Sequence, residues 1–112
     1  MEFQHESLAE GKWFTLSIAE QLGNIGSEVS RAIRARGNHQ RFWGAVSRAL
    51  ELFHLTIDDP RWRGRRRLRE ILRARELFCA AALQSTEYKT TLEDLDRYFY
   101  YFALVARTGQ GK

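Results

Sequence analysis

Hydrophobic positions recur every three to four residues along four stretches of this chain, the period of amphipathic helices rather than the two-residue alternation of strands. The first stretch predicts a helix over residues 12–36, with Ile18, Leu22, Ile25, Val29, Ala32 and Ile33 along one face. Gly37 and Asn38 then supply a left-handed stop and a fresh N-cap. A second helix is expected over 39–57, turning Phe42, Val46, Ala49, Leu50, Phe53 and Ile57 inward and Arg41, Ser47, Arg48 and Glu51 outward. So short a link between the two implies an antiparallel αα-hairpin.

Asp59-Pro60 repeats the start signal, since aspartate is a favoured N-cap and proline a favoured first helical residue, and predicts a third helix over 60–84. After the polar stretch 85–89, Thr90-Thr91-Leu92-Glu93 has capping-box spacing and opens a fourth helix over 91–107. Its inward face reads Leu92, Leu95, Tyr98, Phe99, Phe102, Ala103 and Ala106, and the tail beyond it is expected to fray. With 112 residues, 44% of them hydrophobic, the chain supports one core, so the expected fold class is all-α: a single-domain, antiparallel up-down-up-down four-helix bundle over 1–112.

Charge changes this picture in one place. The eighteen Lys and Arg residues against 14 acidic ones give a net charge of +4, and eight of the arginines fall between Arg61 and Arg75, in RWRGRRRLREILRAR. Arginine grips phosphate or carboxylate with two parallel hydrogen bonds, so the absence of lysine from this run points to contact chemistry. On a helix starting at Pro60, Trp62, Arg66, Arg69 and Arg73 form an outward stripe about 16 Å long at 1.5 Å per residue. Arg65 flanks it on one side, Arg63 and Arg67 on the other, and Trp62 is placed to stack on a base or to cover an apolar edge. Glu70 and Glu76 offer partial charge compensation one turn away. Arg75 falls instead on the predicted inward face, between Leu68, Ile71, Leu72, Phe78 and Cys79, where it requires a buried carboxylate; Glu28 is the first candidate, before Asp94 or Asp96.

Other candidate chemistry is thinner. Gly23 and Gly26 lie within the first helix, where Gly26 borders the apolar face and allows close approach of another helix. Glu51 and His54 have the spacing of a helical di-iron motif but lack its companions, and His5 and His39 show no zinc pattern, so no metal or cofactor is expected. The lone Cys79 reads as a small buried hydrophobe. Tyr100, Tyr101, Leu55 and Leu104 are expected outside, where they suit a homo-oligomer interface. No segment has the roughly 18 uninterrupted apolar residues of a membrane span, and the acidic start is unlike a signal peptide, so a cytoplasmic protein with no membrane partner is expected.

The strings LGNIGSEVSRAIR, DDPRWRGR and YFYYFALVAR resemble a group of short bacterial helical proteins of unassigned function. More loosely, the bundle resembles the four-helix-bundle proteins encoded in ribosomal-RNA intervening sequences and the accessory variability determinant (Avd) of diversity-generating retroelements. Those families commonly carry a Ser-Ile-Pro type segment in an early helix, whereas LeuGlyAsnIleGlySer here has no proline. The resemblance implies a non-enzymatic, oligomeric accessory protein that contacts RNA or DNA, with a reverse transcriptase or other polymerase as protein partner. Two alternatives stand beside it. Arg34 and His39 have the arginine-histidine spacing of the HEPN superfamily of helical RNases and toxins, although Gly37-Asn38 should break the helix between them, and the basic helix could instead dock an acidic protein.

Overall fold

The computed structural model describes residues 11–85 and 87–108, and within them the chain is helical without strands. A short 3-10 turn, Lys12–Thr15, precedes α1 (Ile18–Arg34); α2 spans His39–Ile57, a second 3-10 turn covers Pro60–Trp62, and α3 (Arg66–Ala82) and α4 (Leu92–Thr108) complete the order. His5 and the tail 109–112 lie outside the described residues.

The first predicted helix is divided by a capping box. Ser17 Oγ accepts from Glu20 N–H at 3.1 Å, and Glu20 Oε1 accepts from Ser17 N–H at 2.9 Å, so α1 starts at Ile18 and the preceding Leu16 is extended. Ser17→Ala is expected to lower stability by about 1 kcal/mol, the usual worth of an N-cap, measured by urea denaturation; an unchanged midpoint would show the box to be redundant. The second helix has the expected bounds. Gly37, at φ 92°, makes the reversal, and Asn38 Oδ1 caps Arg41 N–H at 3.1 Å.

The third predicted helix is cut at its start. Pro60 opens only a three-residue 3-10 turn, Gly64 takes φ 68°, and Arg65 is extended, so α3 begins at Arg66. It ends in a Schellman motif: Ser85 N–H donates to Ala80 O at 2.9 Å, Gln84 N–H to Ala81 O at 3.2 Å, and Gln84 itself sits at φ 57°, a position usually given to glycine. Before α4 the capping box forms one residue later than expected, with Thr91 and Asp94 as reciprocal partners. Glu93, released from capping, pairs with Arg36 just beyond α1, and the Arg36 guanidinium holds the Glu93 carboxyl below its ordinary range.

α1 packs against α2 and α4, and α3 packs against the same two helices, which makes α1 and α3 the two corners that share neighbours. Phe53 of α2, Phe78 of α3 and Phe99 of α4 meet in the core, with ring centroids 5.7 Å apart for Phe53–Phe78 and 5.9 Å for Phe53–Phe99. Leu22, Ile25 and Val29 fill the α1 side and Trp13 closes one end, all fully buried or nearly so. Where α1 crosses α4 the backbones come close: a Cβ at Gly26 would lie 2.5 Å from Phe99 Cβ, and one at Gly23 would lie 3.1 Å from Ala103 Cα.

Four expected placements and one expected ion pair are corrected. Arg75 is exposed, because α3 turns Ile71, Ala74, Phe78 and Ala82 inward and leaves Leu68 and Cys79 half-buried. Leaving Leu72 46% exposed costs less than burying an unpaired guanidinium, so the helix rotates towards its alanine side. Glu28 is buried as expected, but its partners are Arg31 and Arg48 rather than Arg75. Leu55 and Glu51 are buried although both were expected outside, whereas Tyr98, expected inside, is 38% exposed. No helix among the described residues is long and apolar enough to cross a membrane.

Candidate nucleic-acid interface

The arginine run is sorted by a buried polar network at the end of the bundle where Trp13, Gln21, Thr56 and Asp59 meet. Asp59 is fully buried, yet its carboxylate is saturated with donors. Oδ1 accepts from Arg61 N–H and Nε–H, both at 3.0 Å; Oδ2 accepts from Arg61 Nη2 at 2.7 Å and Gln21 Nε2 at 2.9 Å. Gln21 Nε2 also donates to Trp13 O at 3.0 Å, and Gln21 Oε1 accepts from Trp62 Nε1 at 3.0 Å. Trp13 Nε1 donates to Thr56 Oγ1 at 2.9 Å. Burial pushes the Asp59 carboxyl up, but the hydrogen bonds from Arg61 and Gln21 outweigh that and hold it below the usual carboxylate range.

This network ties up Arg61 and removes Trp62 from the expected contact surface. Arg61 Nη2 donates to Leu16 O at 2.6 Å as well as to Asp59, and its guanidinium lies 4.6 Å over the Trp62 ring. Trp62 is therefore half-buried, covered on one face and bonded through its indole N–H, which makes it an edge of the core rather than a stacking platform. Nor does it belong to the arginine stripe, since α3 starts four residues later. The stripe shortens to Arg66, Arg69 and Arg73, about 10 Å along the axis.

The remaining arginines differ in how freely they present charge. Arg67 pairs with Glu70 at 3.2 Å, and Arg73 pairs with Glu76 at 3.5 Å while lying 5.1 Å over the Tyr88 ring. Tyr88 donates to the same Glu76, and that bond raises its hydroxyl pKa. Arg63, Arg65, Arg66, Arg69 and Arg75 are exposed and make no ion pair among the described residues. Arg65 and Arg66 also stand at the N-terminal end of α3, which has no side-chain cap and no acidic residue in its first turn. The helix dipole and the arginines therefore carry the same sign there, and the orphan N–H groups of the first turn add to an uncompensated positive pole. Beside it runs an open groove of about 890 Å³, lined by Arg61, Trp62, Arg65, Arg66 and Arg67 and by Thr15, Ser17 and Ile18, with two carboxylates, Glu20 and the Glu70 already paired with Arg67, so that arginines outnumber acids by four to two. Such a surface suits an extended anion better than a small apolar ligand.

Arg34 and His39 are set apart, as the Gly37-Asn38 break implies. Arg34 turns back to Ser30 Oγ at 2.7 Å, His39 leans towards Trp43 with 6.4 Å between ring centroids, and the two line different grooves. His54 lies 3.3 Å from Asp58, and the described residues hold no cluster of three or more metal-ligating side chains. Tyr100, Tyr101 and Leu104 are exposed on α4 as expected.

Gln21, Trp13 and Thr56 carry no signal in the sequence, although with Asp59 they position the corner from which the arginines project. Asp59 was legible as a helix cap; the long-range bonds of the network, Gln21–Asp59 across 38 residues and Trp13–Thr56 across 43, were not. Comparison with protein-family models, curated proteins and solved structures finds no match.

Proposed function

We propose that this chain is an antiparallel, up-down-up-down bundle that binds the phosphodiester backbone of RNA or DNA through the corner formed by Gly64 and the start of α3. The observation that carries this reading is the unpaired state of Arg65 and Arg66, which line an open groove at a helix end whose dipole adds to their charge, and of Arg63 and Arg69 next to them in the chain and on α3. Four guanidinium groups without carboxylates are more than the solubility of one helix requires, and each is free to form a bidentate phosphate contact. Recognition by these groups is of the backbone, so affinity depends little on base sequence.

The test is fluorescence anisotropy with an RNA hairpin and a DNA duplex of equal length, titrated across salt. Wild-type affinity should fall steeply with salt, and Arg65→Gln, Arg66→Gln and Arg69→Gln combined should weaken binding by tenfold or more. On duplex DNA the slope of log affinity against log salt should flatten by about 0.9 for each phosphate contact removed. An unchanged slope in the triple variant would reject the assignment of these residues. If neither nucleic acid binds while an acidic protein does, the partner class itself is wrong.

A further inference from the structure

A second group of arginines, outside the run that dominates the sequence, gathers on the hairpin formed by α1 and α2. Arg31, Arg34, Arg41 and Arg48, with Gln40 and Gly44, line a hollow of about 680 Å³. Its foundation is Glu28, only 4% exposed, whose two carboxylate oxygens are shared between helices: Oε2 accepts from Arg31 Nη1 at 2.8 Å and Oε1 from Arg48 Nε at 3.2 Å. Arg34 is held by Ser30 Oγ at 2.7 Å, and Arg41 is exposed with no ion pair among the described residues.

Four arginines thus line the hollow against one carboxylate: Glu28 is buried, pairs with Arg31 and Arg48 alone, and is not itself part of the lining. The charge of the hollow is left strongly positive, while the directions of Arg31 and Arg48 are set by a buried anchor. Each keeps further N–H donors, because an arginine has five and Glu28 accepts one bond from each. Gly44 keeps the floor open: the nearest atom to a Cβ built there is Arg48 Nη1 at 3.5 Å. Cationic side chains held in fixed directions around a hollow, with unused donors, match the demands of phosphate recognition better than those of a merely solvated face.

We propose that this hollow is a second phosphodiester-backbone site, separate from the α3 corner, so that one chain holds two segments of nucleic acid at once. The inference rests on the nucleic-acid reading above. The two sites share no lining residue: α1 gives its first turn, Ile18 and Glu20, to the groove at the α3 corner and its last turns, Arg31 and Arg34, to the hollow, so they lie towards opposite ends of α1. Glu28 is a positioning residue in this scheme: it orients Arg31 and Arg48 without touching the ligand.

The experiment is a stoichiometric titration of a fluorescently labelled 10-nucleotide single-stranded RNA at protein concentrations well above the dissociation constant. Two oligonucleotides per chain are expected for the wild type, and one for Arg34→Gln with Arg41→Gln, which leaves the Glu28 anchor intact. Gly44→Leu, which fills the hollow without removing charge, should also give one. Arg65→Gln, Arg66→Gln and Arg69→Gln combined should give one as well, held by the hollow.

In that last background Glu28→Gln supplies a second, sharper readout. It adds positive charge, so simple electrostatic attraction would tighten binding, whereas loss of the anchor should weaken it at least tenfold. Should Glu28→Gln fail to fold, the Gly44→Leu and Arg34/Arg41 variants carry the test. One oligonucleotide per wild-type chain, or two that persist in both hollow variants, overturns the second site while leaving the α3 interface standing. No binding by the wild type would instead defeat the nucleic-acid reading, and this inference with it.

Discussion

Replacing Asp59 with alanine should lower the stability of the bundle by about 3 kcal/mol, near the lower end of the range for breaking a buried ion pair. The full range applies when both partners are sealed from water, and here Arg61 is 39% exposed and can rehydrate once released. Gln21 cannot: it is fully buried and would lose one of its two acceptors. Because Gln21 also holds Trp62, the variant should loosen the turn from which Arg63 and Arg65 project and weaken nucleic-acid binding as well. Urea denaturation reads the first effect and anisotropy the second; a loss under about 1 kcal/mol would show that the network contributes little beyond its caps.

The same residue sets a pH dependence whose sign follows from its depressed pKa. The folded protein holds the Asp59 proton less tightly than the unfolded chain does, so the stabilisation is complete above the ordinary aspartate pKa of about 3.9 and is lost as pH falls through the lower folded value. Asp59→Asn should therefore be less stable than wild type near neutrality, with the difference narrowing in acid. A gap that stays constant to pH 2 would show that the carboxylate charge is not what the network uses.

Gly26→Ala should destabilise the protein by about 2 kcal/mol, against the direction that helix propensity alone implies. Alanine is favoured over glycine in a helix interior by about 1 kcal/mol, and its effect on the unfolded chain has the same sign. The added Cβ, however, would meet Phe99 Cβ at 2.5 Å, far inside the 3.5–4.0 Å of ordinary carbon contact. The atom it strikes is next to the α4 backbone and cannot swing away, so α1 and α4 must move apart and overpacking prevails. Gly44→Ala is the control, because its nearest neighbour is the end of a flexible arginine at 3.5 Å, and it should leave stability unchanged or raise it. A rise in melting temperature for Gly26→Ala would mean that the α1–α4 crossing is soft.

The local signals in the sequence differ in reach, residue by residue. Gly37 and Asn38 act through their own backbone and a side chain three residues from its target, so the limits of α2 were legible in full. Ser17-x-x-Glu20 is an equally local signal inside the expanse of 12–36, and it is what divides that segment. Asp59-Pro60 is a valid helix start, but Gly64 at φ 68° ends the turn it begins, and only then does α3 form. That shift moved Trp62 off the arginine stripe. Arg75 was misplaced for a different reason: on an isolated helix its angle lies among apolar side chains, and only the choice of which face meets α2 and α4 sends it to solvent.

By itself the sequence determined that this protein is built of helices, where α2 is capped, that Gly26 marks a close approach, and that positive charge is concentrated as arginine between residues 61 and 75. Those properties depend on periodicity, on neighbours within a turn, and on composition. The tertiary structure decided which arginines are available. It drew Arg61 into a carboxylate 0% exposed, paired Arg67 and Arg73 with glutamates on their own helix, left Arg63, Arg65, Arg66, Arg69 and Arg75 in water, and gathered Arg31, Arg34, Arg41 and Arg48 around a buried Glu28. A guanidinium is drawn to whichever carboxylate or carbonyl the packing brings within reach, and packing joins residues tens of positions apart that no local pattern in the chain connects.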